Sequence, residues 1–111
     1  MLSNSNGKLT VYVSNLASCE KRLEHVKAAV EKMAKLLKLT FEIVTLNEKI
    51  TPIYVYYKNG EEEAIPVYCD KGGKTNVQEI HRALRNMMFV LSFHPKHPAL
   101  KEMRKKIMAF S

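Results

Sequence analysis

The sequence predicts a single α/β domain, on the border with the α+β class, built on a mixed four-stranded sheet. Alternating apolar residues mark short strands, and apolar residues at steps of three and four mark helices. These segments follow one another in the order β-α-β-β-β-α, with a further helix at the C-terminus. A chain of 111 residues that is 46% hydrophobic and 26% charged suits one such domain. We expect a disordered N-terminus at 1–7, the domain at 8–93, and a hinge with a basic amphipathic helix at 94–111.

The first half of the chain has the pattern of a β-α-β unit. Alternating apolar residues from Lys8 to Ser14 predict the first strand, and residues 39–46 have the composition of the second. Ser18 is placed to cap the helix between them. Because the links are short, we expect the two strands to be parallel. The apolar stripe of the helix consists of Leu23, Val26, Val30, Met33 and Leu37.

The second half predicts two more strands and a helix. Asn59-Gly60 favours a two-residue hairpin turn between the third and fourth strands. Pro66 lies inside the fourth strand, and proline cannot donate to a sheet ladder, so this strand is predicted at an edge. Asn76, with Glu79 three residues later, resembles a capping box at the start of the next helix.

The C-terminal segment predicts one more amphipathic helix. Its apolar stripe consists of Leu100, Met103 and Ile107. A helix of about 12 residues is marginal by itself in water, so this stripe has to be buried. We expect it to dock on a second copy of the chain in a symmetric homodimer. Packing back onto the same domain is the alternative, since short links usually join neighbouring elements.

The stretch "TPIYVYYKNGEE" at 51–62 resembles the thioredoxin-like fold family, and the edge-strand proline and the packing helix agree with that resemblance. It covers roughly residues 8–93 and implies a three-layer sandwich, with Thr51–Pro52 as a cis bond facing the redox site. The helix that the family carries between its second and third strands is replaced here by "TLNEKI". The Cys-x-x-Cys motif is also missing. Depending on the alignment, Cys19 matches the resolving cysteine, or it matches the nucleophile with Arg22 in place of its partner.

The preserved frame without the reactive pair predicts a redox-inactive, non-enzymatic binding domain with a protein partner and no cofactor. The binding surface implied by the resemblance contains Ser18, Cys19, Thr51 and Pro52. An alternative is a thiol-redox protein with Cys19 as a lone nucleophile, because the start of a helix lowers the pKa of a thiol placed there.

A second alternative is nucleic-acid binding, because the net charge is +7 and its excess lies on two helical segments. The candidate residues of the last helix are Lys101, Arg104, Lys105 and Lys106. Tyr54 and Tyr56 share one face of the third strand and could stack on bases. A central strand with helices on both faces predicts instead that these tyrosines are packed.

Several classes of protein are not indicated. No run of about 18 apolar residues and no secretory signal is visible, so we expect a cytoplasmic protein without a membrane partner. His94 and His97 lie in "HPKHP" without a third ligand nearby, so no metal site is predicted. We also expect no bridge between Cys19 and Cys69, because the predicted topology places a strand between them.

Overall fold

The computed structural model describes residues 7–14, 20–48, 52–60, 62–71, 76–95 and 98–110. The strands are β1 (Lys8–Ser14), β2 (Thr40–Leu46), β3 (Ile53–Lys58) and β4 (Ile65–Asp70). The helices are α1 (Glu20–Leu37), α2 (Val77–Leu91), α3 (Pro98–Lys101) and α4 (Arg104–Met108). The predicted disordered residues 1–6 lie outside the described residues.

The four strands form one mixed sheet in the order β2-β1-β3-β4. β1 and β2 are parallel and joined through α1, which confirms the predicted β-α-β unit. β3 runs antiparallel to β1, and β4 runs antiparallel to β3. β4 is therefore an edge strand, as Pro66 predicts.

One face of the sheet carries the hydrophobic core, and we call it the core face. Strands β1 and β3 contribute alternate residues that are at most 2% exposed: Leu9, Val11, Val13, Ile53, Val55 and Tyr57. α1 packs against β1 and β2, and α2 packs against β4. α4 contacts α1 and α2, so all the residues in the core belong to one connected cluster.

The opposite face of the sheet differs from the predicted three-layer sandwich. Within the described part of the chain, no helix packs on that face, and its side chains take no part in the core cluster. The described residues therefore form two layers, a sheet and a layer of helices. The physical reason lies in the link from β2 to β3, which comprises only residues 47–52. That link is too short to hold a helix that would cover the second face.

The link between β3 and β4 is longer than the predicted two-residue turn. The amide of Glu62 donates to the carbonyl oxygen of Asn59 at 3.1 Å, and β4 begins only at Ile65. Gly60 has a φ of 61°, but Asn59 does not adopt a positive φ. A two-residue type I′ hairpin needs positive φ at both central residues, so the chain forms a wider loop.

The start of α2 is capped as predicted. Asn76 is the N-cap residue, and its side-chain oxygen accepts a hydrogen bond from the amide of Glu79 at 2.8 Å. This bond satisfies one of the amides that the first turn of a helix leaves free. The sequence thus placed the beginning of this helix correctly.

The C-terminal segment packs back on its own domain. It forms two short helices, α3 and α4, in place of the single predicted helix. Leu100 and Ile107 are fully buried, and Phe110 is 2% exposed. The guanidinium of Arg104 donates to both the hydroxyl and the carbonyl oxygen of Ser92 at 3.0 Å, which ties α4 to the end of α2. Its own chain thus covers the stripe, as the alternative predicts, and a homodimer stays a prediction.

Candidate functional site

The surface implied by the resemblance falls mostly outside the described residues. Ser18, Cys19 and Thr51 all lie there, and so does the Thr51–Pro52 bond with its expected cis geometry. Pro52 is described and lies half-buried just before β3. These four residues therefore remain a prediction from the sequence.

The four candidate cations of the C-terminal segment differ in their surroundings. Lys101, Lys105 and Lys106 are exposed to solvent. Arg104 is half-buried, bonds the end of α2, and lies with its guanidinium carbon 3.7 Å from the centre of the Phe93 ring. Arg104 therefore serves packing, and three lysines are left as a possible anion surface.

The face of the sheet away from the helices carries a different set of side chains, and we call it the open face. Where β1 and β3 pair with each other at the centre of the sheet, it consists of Lys8, Thr10, Tyr12, Tyr54, Tyr56 and Lys58. These positions alternate with the core residues because successive side chains of a strand point to opposite faces. The pairing of β1 with β3 places the open-face residues of the two strands next to each other.

Three tyrosines form the middle of the open face. Tyr12 lies directly opposite Tyr54 across the β1–β3 pair. The rings of Tyr12 and Tyr56 meet edge to face, with centroids 5.5 Å apart and planes at 87°. All three side chains are half-buried. The contact between Tyr12 and Tyr56 fixes these two rings, and part of each of the three rings is left exposed to a ligand.

Two lysines lie at one end of the tyrosine cluster. Lys8 and Lys58 are directly opposite each other on β1 and β3, and both are exposed. The Nζ of Lys8 is 3.0 Å from Oε1 of Glu42, with both side chains nearly half exposed. An exposed ion pair of this kind contributes little net stability. Like charges directly opposite across strands are unfavourable, so this pair has no evident benefit for folding.

The outer strands complete the open face with Glu42, which pairs with Lys8, and with smaller or apolar residues. Val44 on β2 and Cys69 on β4 lie in the same cross-strand row as Tyr12 and Tyr54. Cys69 is a free, exposed thiol. The exposed ring of Pro66 lies beside Tyr56 on the same edge. The tyrosines are therefore flanked by short side chains that leave the surface accessible.

A buried ion pair fixes the first turn of α1 to the end of β4. Arg22 Nη1 donates to Oδ1 of Asp70 at 3.0 Å, and the Asp70 side chain is 1% exposed. Burial, followed by the nearby Asp70 carboxylate, raises the pKa of Tyr68 to about 12. Burial also raises the pKa of Tyr57 to about 12. These groups belong to the core side and hold the sheet against the helices.

The histidines do not assemble a metal site in the part of the chain that the structure describes. No cluster of three potential ligands occurs there, and His97 lies outside it. The ring of His81 packs against that of Phe110, with centroids 5.0 Å apart. None of the described helices is long and apolar enough to span a bilayer.

Comparisons of the chain with protein-family models, with curated proteins and with solved structures find no match. The candidate function therefore depends on the geometry of the open face. Sequence reasoning considered Tyr54 and Tyr56 but missed Tyr12, Lys8 and Lys58. The signal was present, because Lys8 and Tyr12 alternate with the apolar residues of their strand and so share one face.

Proposed function

We propose that the chain is a redox-inactive, thioredoxin-like domain that binds single-stranded nucleic acid on its open face. The thioredoxin-like assignment is supported by the order β-α-β-β-β-α, the mixed sheet, and the position of β3 between β1 and β4. The binding function is supported mainly by the three clustered tyrosines on a face that no described helix covers.

The tyrosine cluster suits the faces of nucleobases. Single-stranded nucleic acids bind proteins largely by stacking their bases on aromatic side chains, which is worth about 1–3 kcal/mol per base. A four-stranded sheet with aromatic residues on its two central strands is a known arrangement for this purpose. Tyr12, Tyr54 and Tyr56 provide such residues on β1 and β3, the two central strands of this sheet.

The lysines at the end of the cluster suit the phosphates. Lys8 and Lys58 share the open face with the tyrosines and lie opposite each other at one end of the cluster. A bound phosphate would pair with Lys58 and compete with Glu42 for Lys8. The overall charge of +7 would also speed the approach of a polyanion. Stacking and charge therefore act on the same strip of surface.

The other functions suggested by the sequence depend on different residues. A protein partner at Ser18, Cys19, Thr51 and Pro52, or thiol chemistry at Cys19, stays a prediction from the resemblance. Nucleic-acid binding by Lys101, Lys105 and Lys106 would use the helical layer, which the core separates from the tyrosine cluster. The open face is favoured because it combines aromatic rings with cations.

The proposal is tested with a fluorescent oligothymidylate or oligouridylate and the full chain at low ionic strength. We expect measurable binding, and Tyr12→Ala or Tyr56→Ala should weaken it by about tenfold each, the lower part of the range for one lost stacked base. Tyr12→Phe keeps the ring and should retain most of the affinity. Circular dichroism confirms that each variant is folded.

A matched pair of double variants separates the two surfaces. Each double variant removes two positive charges. One combines Lys8→Ala with Lys58→Ala, and the other combines Lys105→Ala with Lys106→Ala. We expect the first pair to weaken binding and to reduce its salt dependence more than the second. A larger loss from Lys105 and Lys106 would assign binding to the helical layer, and equal losses would contradict a specific role of Lys8 and Lys58. Absence of binding at low salt would refute both versions.

A further inference from the structure

The two edges of the sheet differ in how well they are protected against pairing with another strand. In the described sheet, β2 has a single neighbour, β1, along all seven residues from Thr40 to Leu46. Its outer side therefore presents a row of backbone amides and carbonyls without a sheet partner. Such a row is a template for pairing with a further strand.

β4, the opposite edge, carries features that prevent pairing. Pro66 removes one amide, and a register shift opposite Val55 and Tyr56 makes the strand irregular. Both features are typical of protected edges. β2 has no proline and pairs with β1 in a continuous register, and its one charged residue, Glu42, forms an ion pair with Lys8 inside the same sheet.

β2 is also unusually apolar for an edge. Phe41 and Ile43 are only partly buried and pack against the rim of the core. Val44 and Leu46 are half-exposed on the other face. A strand that paired with β2 would cover apolar surface on both faces of the sheet. The burial of that surface would add to the energy of the backbone hydrogen bonds.

We propose that two copies of the chain pair through β2 in an antiparallel manner, with Ile43 on the two-fold axis. Ile43 is the central residue of the strand, so this register pairs all seven residues. It places Glu42 opposite Val44, Phe41 opposite Thr45, and Thr40 opposite Leu46. No like charges face each other in this register. The strand is thus self-complementary, as a two-fold interface requires.

The pairing joins the two sheets into one continuous sheet of eight strands. Residues 42 and 44 lie on the same face, and so do 41 and 45, so each face continues across the axis. The core faces meet along Phe41 and Ile43, and the open faces meet along Val44. The tyrosine clusters of both copies would then lie on one surface. This assembly does not depend on what the open face binds.

Two matched variants test the interface. Val44 and Cys69 lie in the same cross-strand row of the open face, one on β2 and the other on β4. Val44→Glu places a carboxylate directly opposite Glu42 of the second copy, and Cys69→Glu places the same charge at the protected edge. We expect a wild-type dimer by sedimentation, a rise of about tenfold or more in the dissociation constant for Val44→Glu, and little change for Cys69→Glu.

Cross-linking gives an independent measurement in a background without the native cysteines. Directly opposite residues of antiparallel strands have Cα atoms about 4.5–5.5 Å apart, within the range of a disulfide. Ile43→Cys should therefore form a covalent dimer on mild oxidation. Thr45→Cys lies on the same face of the strand, but its two copies would be roughly 14 Å apart and should not link.

Each of these results tests the pairing of two β2 strands and does not test the proposed nucleic-acid binding. A monomeric wild-type chain at about 100 μM, well above the dissociation constants of stable dimers, would overturn the proposal. Equal effects of Val44→Glu and Cys69→Glu, or cross-linking of Thr45→Cys as efficient as that of Ile43→Cys, would overturn it as well. Binding of an oligonucleotide by a monomer would leave the proposed function intact while excluding this dimer.

Discussion

The two faces of the sheet are made by the same strands but have opposite properties. In β3, Tyr57 is fully buried on the core face, whereas its neighbour Tyr56 is half-exposed on the open face. The same alternation separates Val11 from Tyr12 in β1. Strand alternation thus assigns stability to one face and leaves large aromatic groups accessible on the other.

The two faces of the sheet also differ in the environment of their ion pairs. On the core side, Asp70 is buried and held by Arg22, while on the open face Lys8 and Glu42 meet in solvent. Removing one partner of a buried ion pair costs about 3–5 kcal/mol, whereas an exposed pair is worth about 0–1 kcal/mol. The exposed lysines of the open face can therefore change with small effects on stability. Their clustering calls for an explanation in terms of binding.

The largest expected effect is the difference in stability between substitutions of the two neighbouring tyrosines. Tyr57→Ala should reduce the free energy of unfolding by about 3–5 kcal/mol, because it leaves a cavity in the core. The surroundings of the ring are tight, since a Cβ atom added to Gly7 would come within 2.6 Å of it. Tyr56→Ala removes only a half-exposed ring and should cost about 1 kcal/mol. Urea denaturation of both variants measures the difference.

Comparable losses from the two substitutions would mean that something covers the open face in solution. The dimer described above would not produce this result, because it covers β2 and leaves the centre of the open face accessible. A test at two protein concentrations controls for association.

Local patterns were sufficient to predict most of the fold. The alternation in β1, the stripe of α1 and the cap at Asn76 depend on near neighbours in the sequence, and the structure confirms them. The edge position of β4 also follows from a single residue, Pro66, since the missing amide excludes a central strand.

What the sequence could not predict is which part of the chain, or which other molecule, covers a given surface. Tyr54 and Tyr56 alternate in the same way whether a helix covers them or not, so their pattern cannot reveal the number of layers. The apolar stripe of the C-terminal segment likewise shows that it is buried, but its own domain and a second copy satisfy that need equally. The burial of Leu100 and Ile107 within the chain decides between them. Both questions depend on contacts distant in the sequence.

The next largest expected effect is the difference in stability between substitutions in the two ion pairs. Asp70→Asn should lower the free energy of unfolding by roughly 3 kcal/mol, because it leaves the Arg22 guanidinium partly buried without its counter-charge. Glu42→Gln should cost at most about 1 kcal/mol, since its pair with Lys8 is exposed. Thermal unfolding at low and high salt measures both. Equal shifts in Tm would contradict the difference between the faces.

Alkaline pH should destabilise the core side through Tyr57 and Tyr68. The pKa of each is raised from 10.0 to about 12, so the folded state retains protons that the unfolded state loses. Their contribution is complete below pH 10 and is lost as the pH rises towards 12. We expect Tm to fall over that range, and to fall less in a Tyr57→Phe, Tyr68→Phe double variant. An identical decline in both proteins would argue against this assignment.

The smallest expected effect has opposite signs for stability and for binding. Lys58 lies directly opposite Lys8 on the open face, so Lys58→Glu replaces a like-charge pair by an opposite-charge pair. Cross-strand pairs of this kind contribute about 0.2–1 kcal/mol, and we expect a small gain in the free energy of unfolding. The same change should weaken binding of a single-stranded oligonucleotide, because it removes a cation and adds an anion beside the tyrosines. Lys105→Glu makes the same change of charge on the helical layer and serves as the control. A variant at Lys58 that is less stable and binds as before would show that this lysine serves the fold, and it would remove the electrostatic half of the proposed site.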